Sequence, residues 1–138
     1  MNKLFVDTSG WIALTNRTDS LHELAARTYE ERLEAGWHFV THAGVMLEVG
    51  NGFALTRFRH LAARLKTIID TSALIEVVHL TEKLYEAGWL MYTSRSDKEW
   101  GIVDCISFVI MQEQNLNEAL TADRDFEQAG FIRLLVES

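Results

Sequence analysis

The sequence predicts an α/β fold, a mostly parallel sheet sandwiched between helices, and three observations carry that reading. Short β-branched or aromatic runs alternate with longer stretches of helical periodicity. Strands separated by helices imply right-handed crossovers and hence parallel pairing. No Pro, Gly/Ser-rich linker, internal repeat or sustained charge run interrupts the 138 residues. At 48% hydrophobic content the chain, residues 1–138, reads as a single domain long enough to bury a core.

The elements follow in order. Lys3–Asp7 reads as the first strand and Ser9–Leu14 as a short helix. Ser20 with Glu23 has the spacing of a capping box, opening a helix that ends at Gly36. Leu21, Leu24, Ala25 and Thr28 form its apolar stripe. Trp37–Thr41 is expected as a second strand, and Ala43–Phe58 as a helix weakened by Gly50 and Gly52. His60–Thr71 continues as a helix with Leu61, Leu65, Ile68 and Ile69 on one side. Leu74–His79 reads as a buried strand, Thr81 as the cap of a helix Glu82–Tyr92, and Thr93–Lys98 as a loop. A long apolar helix, Ile102–Gln114, precedes a short strand Glu118–Thr121. A short helix Asp123–Gln128, stopped by Gly130, leads to a last strand Phe131–Leu135.

Composition narrows the function classes. The N-terminal run reaches Asp7 too soon for a secretory signal. The longest apolar stretch, Ile102 to Met111, is too short for a membrane span and contains Asp104. One cysteine, Cys105, excludes a disulfide framework and a cysteine-based zinc site, so a reducing, cytoplasmic compartment is expected. A net charge of −7 is a poor match to a sequence-blind nucleic-acid coat protein. The charge is uneven, however: Val49 to Ile69 holds no acid but includes Arg57, Arg59, Arg64 and Lys66. That strip reads either as an RNA-phosphate-binding surface or as a solvated helix face.

Four carboxylates carry most of the chemistry. Asp7 closes the first strand, Asp123 follows the short run Ala119-Leu120-Thr121, and Asp104 lies in the opening turn of an apolar helix. Both strand-end acids fall where parallel sheets bind ligands, beyond the carboxyl ends of the strands. Glu48 sits among Val45, Met46, Leu47 and Val49, and an acid buried there needs a partner or a metal. Each has a bland reading beside the functional one: Asp7 and Asp123 as helix caps, Asp104 as a helix-dipole partner, Glu48 as a surface acid at the edge of a stripe. Converging, they would repel one another unless a hard divalent cation compensates.

Competing chemistries lack their residues. The five histidines form no His-Glu-x-x-His motif and have no neighbouring acid pattern for zinc, so they read as surface or satisfied core groups. There is neither a Gly-x-Ser-x-Gly elbow nor a Gly-x-x-x-x-Gly-Lys loop. Cys105 has no cationic neighbour to activate it and reads as core. Ser9 stands where an aspartyl-phosphate enzyme would carry the second acid of Asp-x-Asp.

Asp7 with Thr8-Ser9-Gly10-Trp11, Thr41, Glu48 with Asn51, Trp100 to Cys105, and Thr121 to Phe126 together resemble a PIN domain. The resemblance is nearest to the VapC-type ribonuclease toxins of toxin–antitoxin pairs and covers essentially the whole chain. It implies a parallel sandwich with its acids at one end of the sheet, Mg2+ or Mn2+ binding, endonucleolytic RNA cleavage, homodimers and a small antitoxin. Carried over by position, Asp7, Glu48, Asp104 and Asp123 form the catalytic, metal-binding set. Asp7 and Asp104 are then the direct ligands, and Glu48 and Asp123 orient water or hold a second, weaker metal. Thr8 and Thr121 would offer supporting hydroxyls, Asn51 a polar contact at the rim, and Asp125 a supporting acid. Two departures stand out. Gly101-Ile102-Val103 lacks the hydroxyl many relatives carry before the third acid, and Asp125 replaces a common His. An antitoxin is expected to lay an apolar segment near Leu47–Arg59 and direct an Arg or Lys into the acids. The alternatives are a catalytically weak PIN-like RNA- or protein-binding module, or a non-toxic PIN nuclease in RNA processing.

Overall fold

In the computed structural model, which describes residues 2–137, five strands pair in parallel throughout. They are β1 (Lys3–Val6), β2 (His38–His42), β3 (Ile75–Val78), β4 (Glu118–Leu120) and β5 (Ile132–Arg133), in the order β3-β2-β1-β4-β5. The chain builds outward from β1 through β2 to β3, then crosses to the other side of β1 for β4. The strand order therefore reverses between β1 and β4, which is where an open α/β sheet opens a crevice.

Helices α1 (Thr8–Thr15), α2 (His22–Glu34), α3 (Ala43–Gly52) and α4 (Arg59–Thr71) pack with one another. A second group has α5 (Glu82–Ser94) along α6 (Ile102–Glu113), with the short α7 (Asp125–Gln128) beside it. The middle strands are buried on both faces, so Leu4, Phe5, Val6, Phe39, Val40, Ala119 and Leu120 have no exposed surface. In α6 every residue from Cys105 to Met111 is buried, which explains why that stretch is apolar but for Ser107.

Local signals account for most boundaries. Thr81 accepts the Leu84 amide and caps α5, as its position predicts. Helix α2 ends on Gly36 at φ +81°, with Gly36 and Trp37 amides returned to the Leu33 and Arg32 carbonyls. Four expectations need correction. The Ser20–Glu23 capping box does not form: Leu21 is the N-cap residue, and the Asp19 carboxylate takes its amide. The helix expected over Ala43–Phe58 stops at Gly52, where low helix propensity meets burial of Phe53, and α4 starts afresh at Arg59. The strand at Leu74–His79 shortens to β3, which is only partly buried because it lies at the edge of the sheet. The last strand contracts to Ile132–Arg133 at the opposite edge.

Candidate active site

The sheet crevice between β1 and β4 gathers three of the four acids. Asp7 follows β1, Asp123 lies three residues past the end of β4, and Asp104 projects from the first turn of α6. Each offers a carboxylate oxygen within 4.8 Å of the others. Close approach of α1 to β4 makes this possible, and only glycine permits it. A Cβ on Gly10 would lie 2.2 Å from the Leu120 carbonyl oxygen.

None of the bland readings survives for Asp7. It occupies the N-cap position of α1 but its side chain caps nothing there. It is 4% exposed, and its Oδ1 is buried without a hydrogen-bond partner among the described residues. Its Oδ2 accepts the Thr121 hydroxyl at 2.9 Å. Burial raises the Asp7 pKa to about 6; hydrogen bonds from the Thr8 backbone and Thr121 oppose the shift, while the charges of Glu48 and Asp123 add to it. Asp104 is raised further, to about 7, first by burial and then by the charges of Asp7, Asp123 and Glu48. The Gly101 amide, hydrogen-bonded to the Asp104 carboxylate, pulls the other way. No cation enters either balance among the described residues.

Thr121 organises this corner. Its oxygen accepts the Asp123 amide at 3.0 Å while its hydrogen goes to Asp7. The remaining contact, to Ser9 Oγ at 3.2 Å, must then be donated by Ser9, whose oxygen also accepts the Ala122 amide. A relay Ser9→Thr121→Asp7 therefore fixes the first acid. In the sequence Ser9 entered as part of the motif after Asp7 and as an argument against an aspartyl nucleophile, and its supporting role was missed; its spacing two residues after Asp7 was the available signal. Asp123 does not begin a helix. Its Oδ1 accepts the Asp125 amide in a tight turn, and α7 starts two residues later.

Of the two readings for Glu48, buried or at the surface, the structure gives the surface one. It is exposed on α3, not buried among its apolar neighbours, and it lies outside the three-acid group. Thr8 donates to Glu48 Oε1 at 2.7 Å, so that hydroxyl serves the rim acid and not an aspartate. Asn51 is exposed one turn further along α3, and its side chain makes no hydrogen bond among the described residues. Asp125 sits beside Asp123, its carboxyl pushed up by burial and by the charges of Asp123 and Glu99. An acid there adds repulsion.

The basic residues do not form one strip. At about 100° per residue, Arg59 and Lys66 lie on the same side of α4, and Arg64 about 140° away. Arg64 lines a groove with Trp11, Leu14, His22 and Tyr29. Arg59 donates to the Ala54 carbonyl, Lys66 pairs with Asp70, and Arg57 lies over the Phe58 ring.

Three carboxylates, one holding an orphaned buried oxygen, make an all-oxygen donor set that fits a hard divalent ion such as Mg2+ or Mn2+. Asp7, Asp104 and Asp123 are the groups positioned to hold one.

Comparison with known proteins agrees with this fold. The model of the PIN domain matches residues 4–132. The 23S rRNA-specific endonuclease VapC20 of Mycobacterium tuberculosis is 30% identical over 137 residues, spanning 97% of this chain and 99% of its own. The crystal structure of VapC20 from that organism, described as a sarcin–ricin loop cleaving toxin, superposes with a TM-score of 0.83 at 29% identity. That match covers 94% of this chain and 96% of the other. The VapBC2 structure from Rickettsia felis, bound to a DNA fragment of its promoter, shares the fold at a TM-score of 0.70 and 12% identity, over 95% of this chain and 96% of that one.

Proposed function

This chain belongs to the PIN-domain family, among proteins of the VapC type, and from that premise we propose that it is a divalent-metal-dependent endoribonuclease. In that reading residues 1–138 act as one catalytic domain, the toxin of a toxin–antitoxin pair. The observation that carries the reading is the group of Asp7, Asp104 and Asp123, whose mutual repulsion near neutral pH a bound cation would offset.

Mg2+ or Mn2+, when bound, would supply charge compensation for the phosphate and acidify a water for in-line attack on phosphorus. The protein's own part is positional. Ser9 and Thr121 hold Asp7 in one orientation, and the turn at Asp123 fixes the third acid. Asp104 is anchored in the first turn of α6, with its charge favoured at that helix end. Glu48, steadied by Thr8 at the rim, orients water or product and is not a direct ligand. Among the described residues the three-acid group contains no histidine, and the reading assigns no role to an imidazole base.

RNA is the substrate of this reading, and the relative's specificity makes large-subunit ribosomal RNA the first to test. The partners are a small antitoxin and a second copy of the chain, in a cytoplasmic setting. Leu47 on α3 and Leu55 in the turn after it, 68% and 60% exposed, offer an apolar landing for an antitoxin segment that brings an Arg or Lys to the acids. Among the described residues no helix is long and apolar enough to cross a membrane.

The test is purified protein with total and ribosomal RNA, in Mg2+ and in EDTA, beside Asp104→Asn. Cleavage that needs the metal and falls by orders of magnitude in the variant supports the reading. Metal-independent or Asp104-independent cleavage overturns it. Expression alone should arrest growth for the wild-type chain and not for Asp7→Asn. Harmlessness of both, with the protein folded, would leave a nuclease without a toxin's role.

A further inference from the structure

Among the five histidines, His42 holds a place that core packing alone does not explain. It ends β2 at full burial and is the N-cap of α3, its Nδ1 accepting the amides of Gly44 at 3.0 Å and Val45 at 3.4 Å. A ring nitrogen that accepts amides carries no proton, so the imidazole is neutral with its hydrogen on Nε2. That hydrogen reaches Ser107 Oγ at 2.9 Å, and Ser107 donates its own to the Val103 carbonyl at 3.0 Å. Val103 immediately precedes Asp104, and Ser107 follows it by nearly one turn of α6. The seat is shaped for the ring: a Cβ on Gly44 would stand 2.8 Å from its Cε1 and 3.0 Å from its Nδ1.

A Ser, Thr, Asp or Asn cap would satisfy the start of α3 and reach no further. An imidazole has a second polar atom on its far side, and here it ties the helix carrying Glu48 to the turn carrying Asp104. Burial also holds the His42 pKa down to about 4, against the pull of the Val103 carbonyl, which keeps the ring neutral and this hydrogen-bond pattern fixed near neutral pH.

We propose that His42 is a positioning residue, a clamp between α3 and α6 that sets Asp104 and Glu48 in register for metal and RNA. The proposal rests on the metal-dependent nuclease reading above. His42→Asn retains an N-capping group but is too short to reach Ser107; Ser107→Ala removes the acceptor on α6 with little change of shape. Both variants would be checked for folding by circular dichroism and thermal melting, then titrated with Mn2+ alone by calorimetry well below their melting temperatures. The expected result is a loss of Mn2+ affinity of about tenfold in each folded variant, the size typical of groups that orient ligands without touching the metal. Wild-type Mn2+ affinity in the folded variants overturns the clamp, whatever happens to their melting temperatures. If His42→Asn does not fold, Ser107→Ala decides the matter by the same criterion. Wild-type protein that binds Mn2+ but cuts no RNA defeats the nuclease reading separately, because the clamp is still read from the Mn2+ affinities.

Discussion

Asp104→Asn separates the cost of gathering the acids from their use. Asn preserves the shape of the side chain and removes its charge. In the folded apoprotein the Asp104 pKa stands at about 7, against the ordinary carboxylate value of 3.8, with burial the largest cause. A group raised on folding stabilises the fold below its unfolded pKa, and that contribution is lost as pH rises through its folded pKa. Wild-type apoprotein therefore loses stability between about pH 4 and 7 at this site, and a neutral Asn escapes the loss. A shift of about three units corresponds to at most ~4 kcal/mol. Solvent reaches part of this side chain, so screening and relaxation reduce the gain to about 1–2 kcal/mol. For a chain of this size that is a rise in melting temperature of roughly 3–8 °C. Thermal melts in EDTA at pH 4 and pH 8 measure it: the variant should gain at pH 8 and show little difference at pH 4. Excess Mg2+ should then raise the wild type, by about 2.7 kcal/mol at a hundredfold over Kd, and raise the variant much less. A variant that melts below wild type in EDTA at pH 8, or gains equally at both pH values, would refute the reasoning.

Metal affinity should itself depend on pH. Asp7 and Asp104, raised to about 6 and about 7, must release protons to bind a cation, so Mg2+ affinity should fall about tenfold or more from pH 8 to pH 6. Calorimetry in buffers of different ionisation enthalpy would detect the released protons. Thr121→Val removes a wholly buried hydroxyl that serves Asp7, Asp123 and Ser9 at once. It should cost about 1–3 kcal/mol in chemical denaturation and roughly 10–100-fold in metal affinity; an effect on stability alone would remove Thr121 from the site. If the basic residues hold RNA, Arg59→Ala with Lys66→Ala should lower the salt slope of binding by about 0.7 per lost phosphate contact. Arg64→Ala, about 140° round α4 from Arg59 at the lip of the α1–α2–α4 groove, should leave that slope unchanged.

The sequence alone determined the alternation of strands and helices, the parallel sheet, and Asp7 and Asp123 at the carboxyl ends of strands. These are local properties: period-two runs, Gly36 and Gly130 after helices, and Thr81 before one are read within a few residues of themselves. Even locally, one choice turned on competition, as when Asp19 displaced Ser20 at the start of α2. Tertiary structure decided what the acids meet. Apolar neighbours in the sequence left Glu48 either buried or at the edge of the stripe; burial depends on which side of α3 faces the sheet, and Glu48 emerges exposed against Thr8. Seven steps along α4 bring Lys66 back to the face of Arg59, whereas Arg64 falls on another side, so nearness in sequence made a strip that the helix divides. Ser9 bonding to Thr121, and His42 spanning from β2 to α6, join residues 112 and 65 positions apart. Such contacts are set by the reversal of strand order and the packing of helices across it, and hydrophobic periodicity carries information about neither.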